Sequence, residues 1–500
     1  MNKKTRNIIL AISLLLMVTT VAMAAIPAIA RKVPGRYRVA LAERSPAVSK
    51  VAEAVYDRVL PLATALPAAE VIMGETAVDV SALLATDVPP TPTVPLPTPV
   101  AIVSESVTDT VEIEATAIVV PTLTPTPTPI PVPLPSRVLI DGLTAVRQTF
   151  NNCGPANLVQ VLDWYGLDSP QSAVLDITGT PIDQEIVASY LKPNPEDRNV
   201  SPWQIADYVN EHTYTQKAIA RSGGDLDLLK RLINAGYPVI IEKGYDLPDS
   251  GWWGHYLTVY GYDDDKQEFY SQDSYLGPFD GTGRIDSYED VGKYWQHFND
   301  SFVVVYRPDQ EAEINGLLGE DMLDDFSMWR DIAAHNDEWV KENPDDMFAW
   351  FNLGTSLTRL GELTGEEQYY QAGAQAFDQA RSFGLPPRML WYQYRIYTAY
   401  QKIGRFRDVI DLANATLEAQ GGQNVEETYW YKGHALLALG DVEGAKNAYR
   451  EAMVVNENFY PAQWSLDYAL TIAPDVITDT VGEGTPEAED GTPAAEENNE

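Results

Sequence analysis

The chain has 500 residues, a formal net charge of −37 and a single cysteine. A chain with this excess of acid offers no basic surface to neutralise phosphates, which excludes nucleic-acid binding as a class of function. One cysteine also excludes an internal disulfide, so the thiol needs another explanation in a chain that begins like an exported protein.

The first predicted element is an export segment. Lys3, Lys4 and Arg6 precede an uncharged, largely apolar stretch from residue 8 to residue 30, which is the pattern of a signal sequence. The stretch is also long enough to span a bilayer, which takes about 20 residues. We therefore predict a signal peptide or membrane anchor at residues 1–30. This would place the protein in the cell envelope, outside the cytoplasm, either anchored or secreted.

A linker is predicted next, at residues 31–136, in which residues 52–85 could form short helices. The stretches Pro89–Pro99 and Pro121–Pro135 are dominated by proline and threonine, a composition that favours extended polyproline structure of roughly 3 Å per residue. We expect this Pro/Thr-rich region to be largely disordered and to hold the following domain away from the membrane.

The only cysteine, Cys153, comes directly before a predicted helix. Pro155 suits a first helical turn, the apolar residues of Asn157–Tyr165 share one face, and Gly166 suits a helix end. A thiol at a helix N-terminus is favoured as a thiolate by the helix dipole. A lone cysteine is more often a buried structural residue, but this setting favours a nucleophile.

A nucleophilic thiol needs a base and a group that orients the base. His255 opens the strand-like run Gly254–Tyr262, and Glu268–Asp273 reads as the returning strand. If the hairpin turns about Asp264, His255 and Asp273 face each other on one side of the sheet. The other histidines have weaker settings, and of these only His297, before a predicted strand, remains a weak candidate: His212, His297, His335 and His434.

An acyl-transfer site also needs donors for the developing oxyanion. Gln148 lies just upstream of the thiol, so its amide and the Cys153 backbone N–H could supply them. Gln148 alone would be read as a surface residue and Asp273 alone as a turn residue. The prediction of a catalytic site therefore depends on Gln148, Cys153, His255 and Asp273 occurring together.

Three segments carry a family resemblance: Gln148–Gly166, Gly254–Tyr262 and Gln272–Tyr275. They resemble the papain-like cysteine peptidases that process bacteriocin leaders at double-glycine sites, and more closely the stand-alone relatives without a transporter. The resemblance implies a nucleophile, base, orienting carboxylate and oxyanion donor at Cys153, His255, Asp273 and Gln148. One departure is Asn152, where many members carry an acidic residue before the cysteine.

The segment between Cys153 and His255 is predicted to be mostly helical. Ser201 starts a capped helix, Asp225–Ala235 forms another, and Pro238–Ile241 supplies a short buried strand. Helices first and antiparallel strands later predict an α+β domain at residues 137–310, which agrees with the papain-like resemblance.

Residues 311–473 are predicted to form an all-α domain that resembles tetratricopeptide repeats, whose small residues let paired helices approach. Such stacks usually bind proteins or peptides, so the resemblance implies a protein partner. An acidic disordered tail is predicted at residues 474–500. The clearest repeat positions are Tyr429, Gly433, Leu436, Gly440, Ala445, Tyr449 and Ala452, with an earlier copy at Trp350, Gly354, Leu357, Gly361, Gly373 and Phe377.

These features predict an exported bacterial cysteine peptidase with a helical-repeat domain for a partner or substrate. No cofactor is implied, because cysteine pairs, closely spaced histidines and phosphate-binding glycine loops are all missing from the sequence. Two alternatives stay open. One is a non-catalytic protein that binds peptides on a peptidase fold, and the other is a thiol acyl or peptidyl transferase.

Overall fold

The structure is a computed structural model that describes residues 65–69, 78–85, 133–168, 174–247, 251–419 and 421–474. The predicted anchor at residues 1–30 lies outside these residues, as does the predicted acidic tail apart from its first residue. Within the described part of the chain, no helix has both the length and the hydropathy needed to cross a bilayer.

An α+β domain follows one short helix, α1 (Val80–Leu84). Its strands are β1 (Arg137–Leu139), β2 (Lys217–Arg221), β3 (Val239–Leu247), β4 (Gly251–Asp263), β5 (Glu268–Gln272), β6 (Arg284–Ser287) and β7 (Phe302–Tyr306). Its helices are α2 (Cys153–Tyr165), α3 (Gln184–Leu191), α4 (Pro202–His212), α5 (Leu226–Asn234) and α6 (Tyr288–Trp295), with short 3-10 helices at Gly166–Asp168 and Gln296–Phe298.

The strands form one antiparallel sheet in the order β2-β7-β3-β4-β5-β6, with β1 beside the far end of β4. Side chains alternate across a strand, so the central strands pack on both faces. Val239 and Ile241 of β3 join a core with α5, whereas Ile240 joins a second core with α2, α3 and α4. The sheet therefore holds α2, which begins at Cys153, firmly against one of its faces.

An all-α domain follows the sheet. Its helices are α7 (Glu311–Leu318), α8 (Glu320–Leu323), α9 (Asp325–Glu342), α10 (Met347–Thr364), α11 (Glu367–Ser382), α12 (Met389–Tyr392), α13 (Arg395–Lys402), α14 (Phe406–Glu418), α15 (Glu426–Ala438), α16 (Val442–Val455) and α17 (Tyr460–Ile472), with 3-10 helices at Pro308–Gln310 and Gly422–Asn424. The predicted fold class, an α+β domain followed by an all-α domain, is confirmed.

Small residues do let the paired helices approach, as the repeat pattern predicts. A Cβ atom at Gly354 of α10 would lie 2.7 Å from the ring of Phe377 on α11, and one at Gly433 of α15 would overlap the ring of Tyr449 on α16. Both aromatic rings are fully buried. The glycine and the aromatic residue of each pair are therefore complementary in shape.

Gly433→Ala is expected to lower the free energy of unfolding by about 1–3 kcal/mol, because the added methyl group overpacks a full interface. Intrinsic helix propensity alone would favour alanine by about 1 kcal/mol. Gly316→Ala on α7 is the matched control, since a Cβ there meets no atom within 4 Å. Urea denaturation of both variants checks the prediction, which is contradicted if Gly433→Ala is as stable as the control.

Two segments of the predicted linker, 65–69 and 78–85, pack on the all-α domain. Leu66 and Leu83 are buried in the hydrophobic clusters of that domain, so the two segments are part of its core. The polar contacts are Leu66 N to Leu385 O at 3.0 Å, Arg381 Nε to Pro67 O at 2.9 Å, Val78 N to Gln375 Oε1 at 3.0 Å and Ser81 Oγ to Asp337 Oδ2 at 2.8 Å.

The two domains share an aromatic interface next to the predicted catalytic strand. Trp252 of β4 is buried, with its ring centroid 5.6 Å from that of Phe298 and 5.8 Å from that of Tyr392 on α12. Trp252 therefore serves as a core aromatic between the domains.

Candidate active site

Cys153 lies at the N-terminus of α2, as predicted, and is its first residue, and Gly166 ends the helix. The turn before it is tight, because Asn151 adopts a left-handed φ of 57°. Lys192 holds this turn by donating from Nζ to the Asn151 carbonyl at 2.8 Å. The helix start and the held turn together present the thiol at the N-terminal end of the helix.

His255 and Asp273 are in direct contact. His255 Nε2 lies 2.9 Å from Asp273 Oδ1, and the His255 side chain also hydrogen-bonds the Cys153 thiol. Both residues are buried, with exposed fractions of 8% for His255 and 0% for Asp273. The structure thus brings together a thiol, an imidazole and a carboxylate in series, the arrangement that activates a nucleophile.

The hairpin that brings His255 and Asp273 together has a different register from the predicted one. Residues 264–267 form a four-residue loop, so Asp263 pairs with Glu268, and a bulge between Val259 and Gly261 shifts the register again. Thr258 then pairs with Gln272, the last residue of β5. The direct cross-strand pairing of His255 with Asp273 is therefore wrong.

Asp273 reaches His255 from the turn that follows β5. Its Oδ1 accepts the backbone N–H groups of Tyr275 and Leu276, both at 2.8 Å, and its Oδ2 accepts from Tyr245 Oη at 2.9 Å. Four donors therefore surround a buried carboxylate and compensate for its loss of water. This turn fixes the carboxylate, and with it the orientation of the imidazole.

The electrostatics of the three side chains favour an ion pair. Burial alone would raise the pKa of the Cys153 thiol, but the hydrogen bond and charge of His255 outweigh burial and lower that pKa. Burial also opposes a charge on His255, yet Asp273 raises the pKa of the imidazole to about 10. The pKa of Asp273 is lowered despite burial, chiefly by the charge of His255. Between the thiol and imidazole pKa values, a thiolate–imidazolium pair is the favoured state.

Gln148 lies beside the same turn. Its backbone N–H donates to Ser274 O at 2.9 Å, and its Oε1 accepts from Ser274 Oγ at 2.9 Å. Because the amide oxygen is engaged by Ser274, the amide nitrogen is the end that can donate elsewhere. Gln148 therefore lies beside the turn that carries Asp273.

Residues 140–302 match the model of the Peptidase_C39 like family. The match supports the predicted papain-like fold of the α+β domain. Among solved structures, xylellain, a cysteine protease from Xylella fastidiosa, is 16% identical with a TM-score of 0.24 and covers 35% of this chain and 87% of its own. The MamA RS-1 ArsTM double mutant is 17% identical with a TM-score of 0.25 and covers 30% and 86%. No curated protein matches.

A buried polar network beneath the Cys153 thiol was not predicted from the sequence. Asn157 Nδ2 donates to the carbonyls of Cys153 and Tyr256, both at 2.9 Å, and to Ser274 Oγ at 3.1 Å. Gln160 Nε2 in turn donates to Asn157 Oδ1 at 2.6 Å. The network joins α2, which begins at Cys153, to β4 and to the Asp273 turn.

A signal for this network is present in the sequence. Asn157 and Gln160 lie four and seven residues after Cys153, so all three share a helical face. Both polar residues are at most 1% exposed, and buried amides require partners. Polar residues on the helical face of Cys153 were thus the sequence signal for this network.

Asn152, where the family resemblance expects an acid, is uncharged and donates to Thr149 Oγ1 at 2.8 Å. The side chain does not cap the helix that starts at Cys153. Besides His255, a nearby positive charge at Lys192 lowers the pKa of the thiol. Cations on neighbouring elements therefore activate the thiol of the peptidase-like site.

His297 is not part of the peptidase-like site. Its Nδ1 accepts from Trp252 Nε1 at 2.9 Å, and its ring stacks on Phe348 with centroids 3.5 Å apart. Burial lowers the pKa of His297 to about 3, so the imidazole stays neutral. Its role is to pack the interface between the domains.

The acidic turn after β4 binds cations of the chain itself. Asp263 lies 3.7 Å from Arg137 and 3.5 Å from Lys266, and Asp264 lies 3.4 Å from Lys230. Across the described ranges, no group of three or more histidine, cysteine, aspartate or glutamate side chains is arranged to hold a metal ion.

Proposed function

We propose that this protein is a cysteine peptidase that hydrolyses peptide bonds. The observation that carries the proposal is the series of contacts from the Cys153 thiol to His255 and from His255 Nε2 to Asp273 Oδ1 at 2.9 Å. The series lies within the segment that matches the Peptidase_C39 like family, and each polar contact has a defined role in acyl transfer.

In the proposed reaction, the Cys153 thiolate attacks the carbonyl carbon of a peptide bond. Gln148 Nε2 and the Cys153 backbone N–H stabilise the negative oxygen of the tetrahedral intermediate. The His255 imidazolium then gives its proton to the leaving amine, and a thioester remains. Water attacks the thioester with His255 as the base, which releases the acid product and restores the thiol.

The all-α domain is proposed to bind a protein partner or the substrate, since helical hairpins of this kind offer extended binding surfaces. We also propose a location outside the cytoplasm, in the cell envelope or secreted. The basis of that location is the basic and apolar pattern of residues 1–30.

The pH dependence of Cys153 alkylation tests the proposal in the full-length chain. Iodoacetamide reacts with the thiolate, so its rate follows the thiol pKa. The ordinary pKa of a cysteine thiol is about 8.5. Because His255 lowers the pKa of the Cys153 thiol, the alkylation rate should reach its plateau below that pH. In His255→Ala only burial and the weaker contacts still act on the thiol pKa, so that pKa should rise. A rise of at least one pKa unit lowers the alkylation rate at about pH 7 by at least about tenfold.

The matched control is His335→Ala, which removes an exposed histidine of the all-α domain and should leave the profile unchanged. A wild-type rate that rises only near the ordinary thiol pKa, with no effect of His255→Ala, would contradict the ion pair. That result would favour the non-catalytic peptide-binding protein. Full activation together with transfer to an added amine, in place of hydrolysis, would favour the transferase.

A further inference from the structure

Residues 78–85 lie on the all-α domain in the manner of a bound peptide. They include α1 and pack against α9 and α11. Of their eight side chains, Leu83 is the one that is buried, in a cluster that contains Trp329 of α9 and Ala376 of α11. We call residues 78–85 the resident segment. The surface beneath it is the segment groove, formed by Asp337 and Lys341 of α9, Trp350 of α10 and Gln375 of α11.

The polar contacts of the resident segment lie where water can compete for them. Val78 N donates to Gln375 Oε1 at 3.0 Å. Ser81 Oγ donates to Asp337 Oδ2 at 2.8 Å and accepts from Lys341 Nζ at 2.8 Å. Ser81 is exposed and the Lys341 side chain is 56% exposed, so each bond adds little net stability. Ordering the backbone of the segment also costs free energy at every residue. The segment is therefore held as a reversible ligand would be.

Three residues give the resident segment its shape and its contacts. Asp79 caps α1 by accepting from the backbone N–H of Ala82 at 3.0 Å, and its side chain faces water. Ser81 then reaches α9, and Leu83 enters the hydrophobic cluster. The groove thus holds a short capped helix with the pattern Asp-x-Ser-x-Leu.

A cavity of about 440 Å³ lies beside the resident segment. Its lining includes Val78 and Ser81 of the segment and Gln371, Gln375 and Gln379, which are one turn apart on α11. A glutamine amide both donates and accepts hydrogen bonds, and Gln375 already accepts a backbone N–H of the segment. A longer ligand that enters the cavity would therefore gain contacts that the resident segment does not make.

The position of the segment in the chain permits exchange. Ala85 and Arg137, the first residue of β1, are 52 positions apart, and the predicted Pro/Thr-rich linker falls between them. A segment on such a tether competes with a free ligand at an effective concentration of about the millimolar range. Release of the segment requires no rearrangement of the α+β domain.

We propose that the segment groove is the binding site for a protein partner. The partner supplies a short helix with the pattern Asp-x-Ser-x-Leu, joined to further residues that enter the cavity beside it. The resident segment occupies the groove until such a partner displaces it. This inference rests on the proposed role of the all-α domain in partner binding, and it names the site and the chemistry of the partner.

Binding of a free peptide to the full-length protein tests the proposal. The probe is a fluorescein-labelled peptide with the sequence of residues 76–87, and the same peptide with Leu83→Asp is its control. Fluorescence anisotropy gives the affinity of each peptide for the wild type, Leu83→Ala, Asp79→Ala and Leu439→Ala. Leu439, which is 50% exposed, provides the matched control for loss of a leucine in the all-α domain.

Leu83→Ala removes the buried side chain of the resident segment, so the probe should bind this variant at least about tenfold tighter than the wild type. Asp79→Ala removes only an exposed cap and keeps Leu83 and the whole groove, and it should bind the probe about threefold tighter or more. Leu439→Ala should bind the probe as the wild type does. The Leu83→Asp peptide should bind at least about tenfold more weakly than the probe to Leu83→Ala and Asp79→Ala.

Equal affinity of the probe for the wild type and both segment variants, or no binding to any of them, would overturn the proposal. If Leu83→Ala does not fold by circular dichroism, Asp79→Ala decides the result. A wild-type dimer that excess probe dissociates would also overturn it, because a second copy of this chain would then be the occupant. Failure of the peptidase proposal is a separate result, which appears in the alkylation profile of Cys153.

Discussion

Cys153→Ala is expected to lower peptide hydrolysis by about 10⁴-fold or more, because removal of the nucleophile leaves only the oxyanion donors and substrate binding. The chain has no second cysteine to take over the attack. Hydrolysis of a peptide library, followed by mass spectrometry, gives the sites that the wild type cleaves, and the variant is then assayed on those peptides.

The control for Cys153→Ala is its thermal unfolding temperature, which should stay close to that of the wild type. The side chain is small and only partly buried, and the polar network beneath it uses the Cys153 carbonyl, which alanine retains. A folded variant that kept more than about a hundredth of the wild-type rate would exclude Cys153 as the nucleophile.

Gln148→Ala is expected to lower kcat by about 10²–10³-fold, the usual effect of losing one oxyanion donor. The thiol should stay activated, because the groups that lower its pKa are His255, the backbone of Tyr256 and Lys192. Turnover and iodoacetamide alkylation should therefore separate: the first falls and the second stays within about twofold of the wild-type rate, well inside one pKa unit.

Ser274→Ala is the matched control for Gln148→Ala. It removes the hydroxyl that holds Gln148 Oε1 but keeps the amide, so its loss of kcat should be smaller. Parallel losses of turnover and alkylation in Gln148→Ala would show that the glutamine shapes the thiol site, and the oxyanion role would be wrong.

Local pattern was enough to predict the elements that carry the candidate site. The helix that begins at Cys153 and the strand that carries His255 both follow from residue type and spacing. The contact between His255 and Asp273 was predicted through an incorrect register, since the hairpin has an even loop and a bulge. Asp273 still reaches the imidazole because the turn after β5 carries it there, a geometry that alternation along strands does not encode.

Packing between residues far apart in the chain could not be predicted from the sequence. The Arg198 guanidinium lies 5.6 Å from the Trp391 ring although strands β2 to β7 lie between the two residues in the chain, and no periodic pattern relates them. The docking of the linker segments was not predicted for the same reason, because apolar residues such as Leu83 pack against partners far along the chain.

The docked linker segments constrain the order in which the chain can complete its fold. Val78 and Gln375 are hydrogen-bonded partners 297 residues apart in sequence. Residues near 78 are synthesised first, yet their binding surface exists only after most of the chain has been made. Closure of so long a loop is slow and entropically costly. The segment around Val78 is therefore made early but docks late. A chain truncated before the all-α domain could not bury this segment at all.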